Sequence, residues 1–99
     1  MDRAVRRWAQ EATTSRPDIV RIGYFGSFAR GDWGVGSDVD LVVVVDDSEQ
    51  PFASRAGAWD TTGLPVPADL LVYTREEWAK LTARPGFGRR VEAEAVWIG

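Results

Sequence analysis

The sequence predicts an α/β fold in which helices pack on a small β-sheet. Three observations support this class: an amphipathic segment near the N-terminus, three apolar runs that favour strands, and turn-forming stretches of Gly, Pro and Ser between them. The elements alternate from helix to strand along the chain, which is typical of a sheet covered by helices. A chain of 99 residues is large enough for one core, so a single domain is expected over residues 1–99.

The first part of the chain predicts a helix, a strand and a short helical turn. Apolar residues recur at helical spacing through residues 2–13, which indicates an amphipathic helix. The run Ile19–Phe25 is rich in residues that favour strands and predicts the first strand. Ser27 is expected to cap a helical turn over residues 28–30, which Gly31 ends.

The middle of the chain predicts two further strands with a helix between them. Residues 38–46 predict the second strand. Within it, Leu41–Val45 are continuously apolar, so this strand is expected to be buried on both faces and central in the sheet. A helix is predicted near residues 52–59, and a third strand over residues 66–73.

The last part of the chain predicts helix followed by a short strand. Thr74 precedes an acidic first turn and is expected to cap a helix over residues 75–81. A final helical turn is predicted over residues 89–94, and a terminal strand over residues 95–98. The chain would therefore end with an element that can join the sheet.

The composition excludes several classes of chemistry and of partner. The chain has no Cys and no His, which excludes disulfides, a Ser-His-Asp triad and Cys- or His-ligated metals. Catalysis would have to use carboxylates, hydroxyls, arginines, backbone amides and hard cations. The net charge of −3 does not attract nucleic acid, so direct DNA binding is not expected. No apolar run approaches the roughly 20 residues of a membrane span, so a cytoplasmic protein is expected.

Two aspartates open the second predicted strand. Asp38 and Asp40 are two residues apart, so their side chains are expected on one face of the strand. Strands disfavour Asp, and unpartnered carboxylates are expensive to bury, so the pair predicts a divalent cation site. Asp69 is the candidate third carboxylate if the second and third strands are neighbours. It would share a face with apolar residues, which would raise its pKa and suit it to act as a base.

A Gly-Ser turn follows the first predicted strand. Gly26 would let a phosphate approach the backbone closely, and the Ser27 hydroxyl could donate to a phosphate oxygen. Taken alone, such a turn is more often a simple helix cap, and the three aspartates could be separate surface carboxylates. The turn lies just before the aspartate pair, which favours a joint anion and metal site. No Gly-Lys-Ser/Thr sequence is present, which excludes a P-loop.

The spacing of these residues resembles the signature of the DNA-polymerase-β-like nucleotidyltransferases. Gly26 and Ser27 are followed, after ten intervening residues, by the sequence Asp38-Val39-Asp40. The fuller Gly-Ser-Phe-Ala-Arg-Gly and Ser-Asp-Val-Asp-Leu segments resemble the minimal nucleotidyltransferase (MNT) branch. The resemblance implies a nucleotidyltransferase fold with a small mixed sheet and packed helices.

The resemblance also implies a role for each motif residue. Gly26 and Ser27 would hold the triphosphate of ATP, and Asp38 and Asp40 would ligate Mg²⁺, with two ions expected. Asp69 matches the third carboxylate, which would share the second ion and help to deprotonate the acceptor. Arg30 matches a recurring family arginine that either touches the nucleotide or braces Asp38. Trp33, in the loop between the two motifs, either packs the loop or stacks on a nucleobase.

Members of the MNT branch are commonly paired with a small helical HEPN-family toxin. Some act as antitoxins by transferring AMP from ATP to a tyrosine of that partner. No segment of the sequence is long enough to recognise an acceptor alone, which favours a protein partner or a neighbouring subunit of a homo-oligomer. Two alternatives stay open: a small-molecule nucleotidyltransferase of the aminoglycoside-modifying kind, and a non-catalytic module that neutralises its partner by contact.

Overall fold

The computed structural model describes residues 1–34 and 36–98. Within them, helices and strands alternate much as predicted. The helices are α1 (Asp2–Ser15), α2 (Ser27–Arg30), α3 (Phe52–Arg55), α4 (Arg75–Thr82) and α5 (Phe87–Glu94), with a 3-10 turn at Ala56–Ala58. The strands are β1 (Ile19–Phe25), β2 (Val39–Val45), β3 (Ala68–Thr74) and β4 (Val96–Ile98). In these two ranges, no helix has the length and apolarity that crossing a membrane requires.

The four strands form one mixed sheet in the order β3-β2-β1-β4. Strand β2 runs parallel to β3 and antiparallel to β1, which in turn pairs antiparallel with β4. The central position predicted for β2 is confirmed, and its residues 41–45 are all buried. The predicted α/β class, with helices packed on a small mixed sheet, is therefore confirmed.

The sheet has a core on each face because successive residues of β2 point in opposite directions. Leu41, Val43 and Val45 pack in the larger cluster with residues of α1. Val42 and Val44 pack on the other face in a smaller cluster that includes Trp78 of α4 and Val91 of α5. Asp40 has the same parity as Val42 and Val44, so it belongs to the face that α4 and α5 cover.

Several predicted boundaries need correction. Helix α1 continues to Ser15, and the helix predicted near residues 52–59 is a short α3 followed by a 3-10 turn. Helix α5 begins at Phe87, two residues before the predicted helical turn. Gly88 permits this because a Cβ there would lie 2.6 Å from Leu81, so the glycine allows α5 to pack closely on α4.

The two predicted helix caps have different outcomes. Thr74 caps α4 as predicted: its hydroxyl accepts a hydrogen bond from the Glu77 N–H, while the Glu77 carboxylate accepts one from the Thr74 N–H. The prediction that Ser27 caps α2 is wrong. Gly26 occupies the cap position with a φ of 74°, and Ser27 is the first residue of the helix.

Candidate active site

Asp40 and Asp69 lie opposite each other at the start of two neighbouring parallel strands. They are direct partners in the register of β2 and β3. Partners in a parallel pair point to the same face of the sheet, so both side chains project from the face covered by α4 and α5. Asp38 lies one residue before β2 and two before Asp40. The three predicted metal ligands thus lie at one end of the sheet.

The pKa of Asp40 is raised by its surroundings in the acidic cluster. Burial raises the pKa of Asp40, and the negative charges of Asp69 and Asp38 raise that pKa further. The nearby Arg30 acts in the opposite direction but does not cancel these effects. A cation bound here would relieve the repulsion, because an opposite charge favours the ionised form of each carboxylate.

The expected apolar setting of Asp69 is wrong. Asp69 is exposed, as is Asp38, whereas Asp40 is half-buried. The reason is topological: β3 is an edge strand, so residues at its beginning are open to solvent even when the strand interior is apolar. The carboxylate that burial perturbs in this site is Asp40.

The donor set suits a hard cation, although the side chains are not preassembled around one. Across residues 1–34 and 36–98, no three His, Cys, Asp or Glu side chains form a group at metal-binding distances. Three carboxylates repel one another without a counter-charge, which favours separated side chains. Carboxylate oxygens are the ligands that Mg²⁺ prefers, and it retains several waters, so the chemistry of Asp38, Asp40 and Asp69 fits this ion.

Gly26 lies directly beneath the Asp40 carboxylate. Phe25, the last residue of β1, pairs with Asp40 across the antiparallel ladder, and Gly26 follows it. A Cβ at position 26 would overlap Asp40 Oδ2, and the positive φ of Gly26 is itself unfavourable for other residues. The Gly-Ser turn is therefore adjacent to Asp40, one of the two aspartates of the predicted joint site.

The nucleotidyltransferase family is identified by its sequence model. The model described as "Nucleotidyltransferase domain" matches residues 5–98. The chain belongs to this family. A comparison with curated proteins found no match.

A solved structure supports the same fold. The chain is similar to the crystal structure of a candidate nucleotidyltransferase from Sulfolobus solfataricus, with a TM-score of 0.66 and 23% identity. The similarity covers 96% of this chain and 76% of that one. At this identity the likeness concerns the fold alone, and the fold is the one that the motif resemblance implies.

Arg30 of the nucleotidyltransferase domain faces acidic partners that the sequence prediction missed. Its Nε donates to Asp32 Oδ2 at 3.1 Å, and its Nη1 donates to Glu94 Oε1 at 3.1 Å. Of the two roles considered for Arg30, bracing of Asp38 finds no support among its hydrogen bonds to described residues, which go to Asp32 and Glu94. Glu94 also accepts a hydrogen bond from the Gly26 N–H at 2.9 Å. These bonds, from Gly26 first and Arg30 second, lower the pKa of Glu94.

A cavity of about 350 Å³ opens beside the turn, between the end of β1 and helix α5. Gly26, Ser27, Arg30 and Asp40 line one side of it. Phe87, Arg90, Val91 and Glu94 of α5 form the other side, together with Phe25. The cavity thus joins all predicted nucleotide-binding residues to one of the predicted metal ligands.

Trp33 lies away from these contacts. Its ring stacks on Phe28, with centroids 5.3 Å apart and planes 17° from parallel. Phe28 packs against the core on the α1 face, opposite to the face of Asp40. Trp33 is 56% exposed. This arrangement favours the loop-packing interpretation over a nucleobase platform.

Proposed function

We propose that this domain is a Mg²⁺-dependent nucleotidyltransferase that transfers AMP from ATP to a hydroxyl group of a protein partner. The observation that carries the proposal is the pairing of Asp40 with Asp69 directly above the Gly26 turn. A carboxylate pair beside a glycine turn combines metal ligands with a place where the backbone is open to a phosphate. The family match supplies the reaction class.

Asp38, Asp40 and Asp69 would hold the metal. When bound, a divalent cation neutralises phosphate charge and helps to activate the attacking oxygen. Asp69 is exposed, so an acceptor hydroxyl can approach its carboxylate and give up a proton to it. Asp40 stays half-buried and holds the more fixed position between Gly26 and Asp69.

Ser27 and Arg30 would bind the phosphates. As the acceptor oxygen bonds to the α-phosphorus, the bond from that phosphorus to the bridging oxygen of the β-phosphate breaks, and the β- and γ-phosphates leave as pyrophosphate. Both residues line the cavity beside Asp40, and the Arg30 side chain is 51% exposed. Its guanidinium can reach a phosphate oxygen without first leaving a buried position, and a charge-assisted hydrogen bond of this kind is about twice as strong as a neutral one. Fixing the triphosphate beside the carboxylates supplies orientation, which is a large share of catalysis in phosphoryl chemistry.

The openness of the site supports a large acceptor. Asp38, Asp69 and Arg30 are all exposed, so the reacting groups lie at the surface and not in a closed pocket. A tyrosine on the surface of a folded partner could reach such a site. Together with the MNT resemblance, this supports the role of antitoxin toward a helical HEPN-family protein.

The test is transfer of label from α-³²P-ATP. Purified wild-type protein is incubated with Mg²⁺ and a candidate HEPN-family partner, and labelled protein is detected on a denaturing gel. The proposal predicts labelling of the partner by wild type and none by Asp40→Asn. Asp18→Asn, at the far end of β1, serves as a control that removes one carboxylate without touching the site.

Other outcomes separate the alternatives. Label that appears only on an added aminoglycoside would replace the protein acceptor with a small molecule. A double variant, Asp38→Asn with Asp40→Asn, that still binds and neutralises the partner would favour a non-catalytic module. Absence of transfer to any acceptor by wild type, with unchanged neutralisation, would contradict the enzymatic proposal.

A further inference from the structure

We infer that Glu94 is a positioning residue, which holds the Gly26 turn and the Arg30 guanidinium in the arrangement that binds a nucleoside triphosphate. Glu94 is the last residue of α5 and lies 68 positions from Gly26 in the sequence. Its two carboxylate oxygens serve two different groups. Oε2 accepts from the Gly26 N–H, and Oε1 accepts from Arg30 Nη1. The inference rests on the proposed nucleotidyl transfer.

Glu94 and Asp40 both restrict the Gly26 turn. The Asp40 carboxylate occupies the space where a side chain of residue 26 would lie, and the Glu94 carboxylate holds its N–H. The Gly26 peptide is therefore held between two acidic groups. Without Glu94 the turn would lose the only contact that ties it to α5 through a charge-assisted hydrogen bond in the described part of the chain.

Glu94 also orients Arg30, and one nitrogen of the Arg30 guanidinium stays available as a donor. The guanidinium is held at Nε by Asp32 and at Nη1 by Glu94, whereas Nη2 has no hydrogen bond to another described residue. Two held corners fix the plane of the group, and the third corner is left for a ligand. The free third corner favours a positioning role, because an inhibitory plug would leave no corner of the guanidinium open to a phosphate.

Glu94 lies in the wall of the cavity that Ser27, Asp40 and Arg90 also line. Its side chain is 30% exposed, so it is accessible to solvent but supported by α5. Helix α5 packs on the sheet through Val91, which gives the carboxylate a rigid base. A rigid support is what precise positioning of a binding group requires.

The test compares three variants of the full chain, Glu94→Ala, Glu94→Gln and Glu92→Ala. Glu92 is the matched control: it lies on the same helix at similar exposure and accepts from Arg21 at 2.8 Å and from Trp78 Nε1 at 3.3 Å, and none of its hydrogen bonds to described residues reaches α2. Steady-state kinetics with Mg²⁺ and ATP should give Glu94→Ala a KM about tenfold higher or more, since hydrogen bonds to charged groups are being lost. Glu94→Gln should lie between it and wild type, because its amide oxygen can still accept from Gly26. Glu92→Ala should stay within about twofold of wild type.

A second readout reports the contact itself. The Gly26 amide proton, in ¹⁵N spectra of the uniformly labelled protein, should move upfield in Glu94→Ala and much less in Glu94→Gln or Glu92→Ala. An unchanged KM in Glu94→Ala, or a lower one, would overturn the positioning role, and the lower value would identify Glu94 as a plug. If wild type itself neither binds nor turns over ATP, the proposed function fails, and that outcome is distinct from a wild type that is active and indifferent to Glu94.

Discussion

The Arg55–Glu77 pair joins α3 to α4, the Arg30–Glu94 pair joins α2 to α5, and the two pairs differ in how many guanidinium donors have a partner within the protein. The Arg55 side chain is 8% exposed, and that of Arg30 is 51% exposed. The first pair lies under the carboxyl end of β3 and the second beside the beginning of β2, so they occupy opposite ends of the sheet.

In the Arg55–Glu77 pair, every nitrogen of the guanidinium has a partner within the protein. Its Nε donates to the Gln50 carbonyl, Nη1 donates to the Val72 carbonyl and to Glu77, and Nη2 donates to the second oxygen of Glu77 at 3.1 Å. Glu77 in addition completes the capping box with Thr74. Every corner of the guanidinium has a partner, as a buried charge requires.

In the Arg30–Glu94 pair, one nitrogen of the guanidinium has no hydrogen bond to another described residue. The partners of Arg30 hold two corners of the guanidinium, and the side chain borders a cavity that Asp40 also lines. An ion pair between the same two residue types can therefore serve either stability or ligand binding. The number of donors left over, and what lies beside them, distinguishes the two uses.

The largest effect is expected from Gly26→Ala. The added methyl group would overlap the Asp40 carboxylate. The carboxylate would have to move, and its position as a proposed metal ligand would change. Displacement of a catalytic group by about 1 Å can cost about 100-fold in rate, so transfer activity should fall by about this factor or more. Kinetics with α-labelled ATP would measure it.

Gly31→Ala is the control for backbone strain. Gly31 ends the same helix at a φ of 83°, but no atom lies within 4 Å of an added Cβ. It should lose about 1–2 kcal/mol of stability from the left-handed conformation, with activity per folded molecule unchanged. Equal losses of activity in both variants would show that strain, and not contact with Asp40, explains the effect.

The two pairs should respond in opposite ways to loss of their arginines. Arg55→Ala removes the donor from the Gln50 and Val72 carbonyls and the guanidinium from the Glu77 carboxylate, which should lower the free energy of unfolding by about 2 kcal/mol. Arg30→Ala should leave thermal stability nearly unchanged and raise the KM for ATP. Calorimetry and kinetics on both variants check this. A protein that Arg30→Ala unfolds and Arg55→Ala does not would reverse the assignment.

The difference between the pairs also predicts a smaller, pH-dependent effect. Hydrogen bonds from Arg55 and from the Thr74 N–H lower the pKa of Glu77 from its ordinary 4.5 to about 2. The ionised form therefore stabilises the fold above pH 4.5, and this contribution is lost as the pH falls toward about 2. Urea unfolding of wild type and Glu77→Gln should differ at pH 6, and the difference should shrink steadily as the pH falls from 4.5 toward 2.

Glu76→Gln is the matched control for that titration. Glu76 is the neighbouring residue, but it is 79% exposed and pairs only with Lys80 on the same helix. Such surface pairs contribute little, so its unfolding curve should follow that of wild type at every pH. A Glu77→Gln protein whose stability deficit stays constant down to pH 2.5 would contradict the assigned role of the Arg55 pair.

Local pattern was enough to predict most of the fold. The strand Ile19–Phe25 has the predicted bounds, and the continuous apolar run of β2 indicated its central place. The sequence made the adjacency of the second and third strands a condition for Asp69 to join Asp40, and the pairing of β2 with β3 meets that condition. The family match confirms the class that the Gly-Ser and aspartate motifs suggested.

What the sequence could not predict depends on contacts between distant residues. Glu94 reaches Gly26 only because β4 pairs with β1 and brings the end of α5 beside the turn. The residues next to Glu94 in the sequence do not indicate that its carboxylate contacts Gly26. The exposure of Asp69 likewise depends on β3 being an edge strand, which is a property of the whole sheet.

The most direct test of the central claim is calorimetric titration of ATP into the protein with and without Mg²⁺, for wild type and Asp40→Asn. The claim is that Asp40, with Asp38 and Asp69, forms a metal site beside the Gly26 turn. It predicts Mg²⁺-dependent binding to wild type that weakens by about tenfold or more in Asp40→Asn, since a charged ligand is lost. Identical binding by the two proteins, or no binding by wild type, would contradict it.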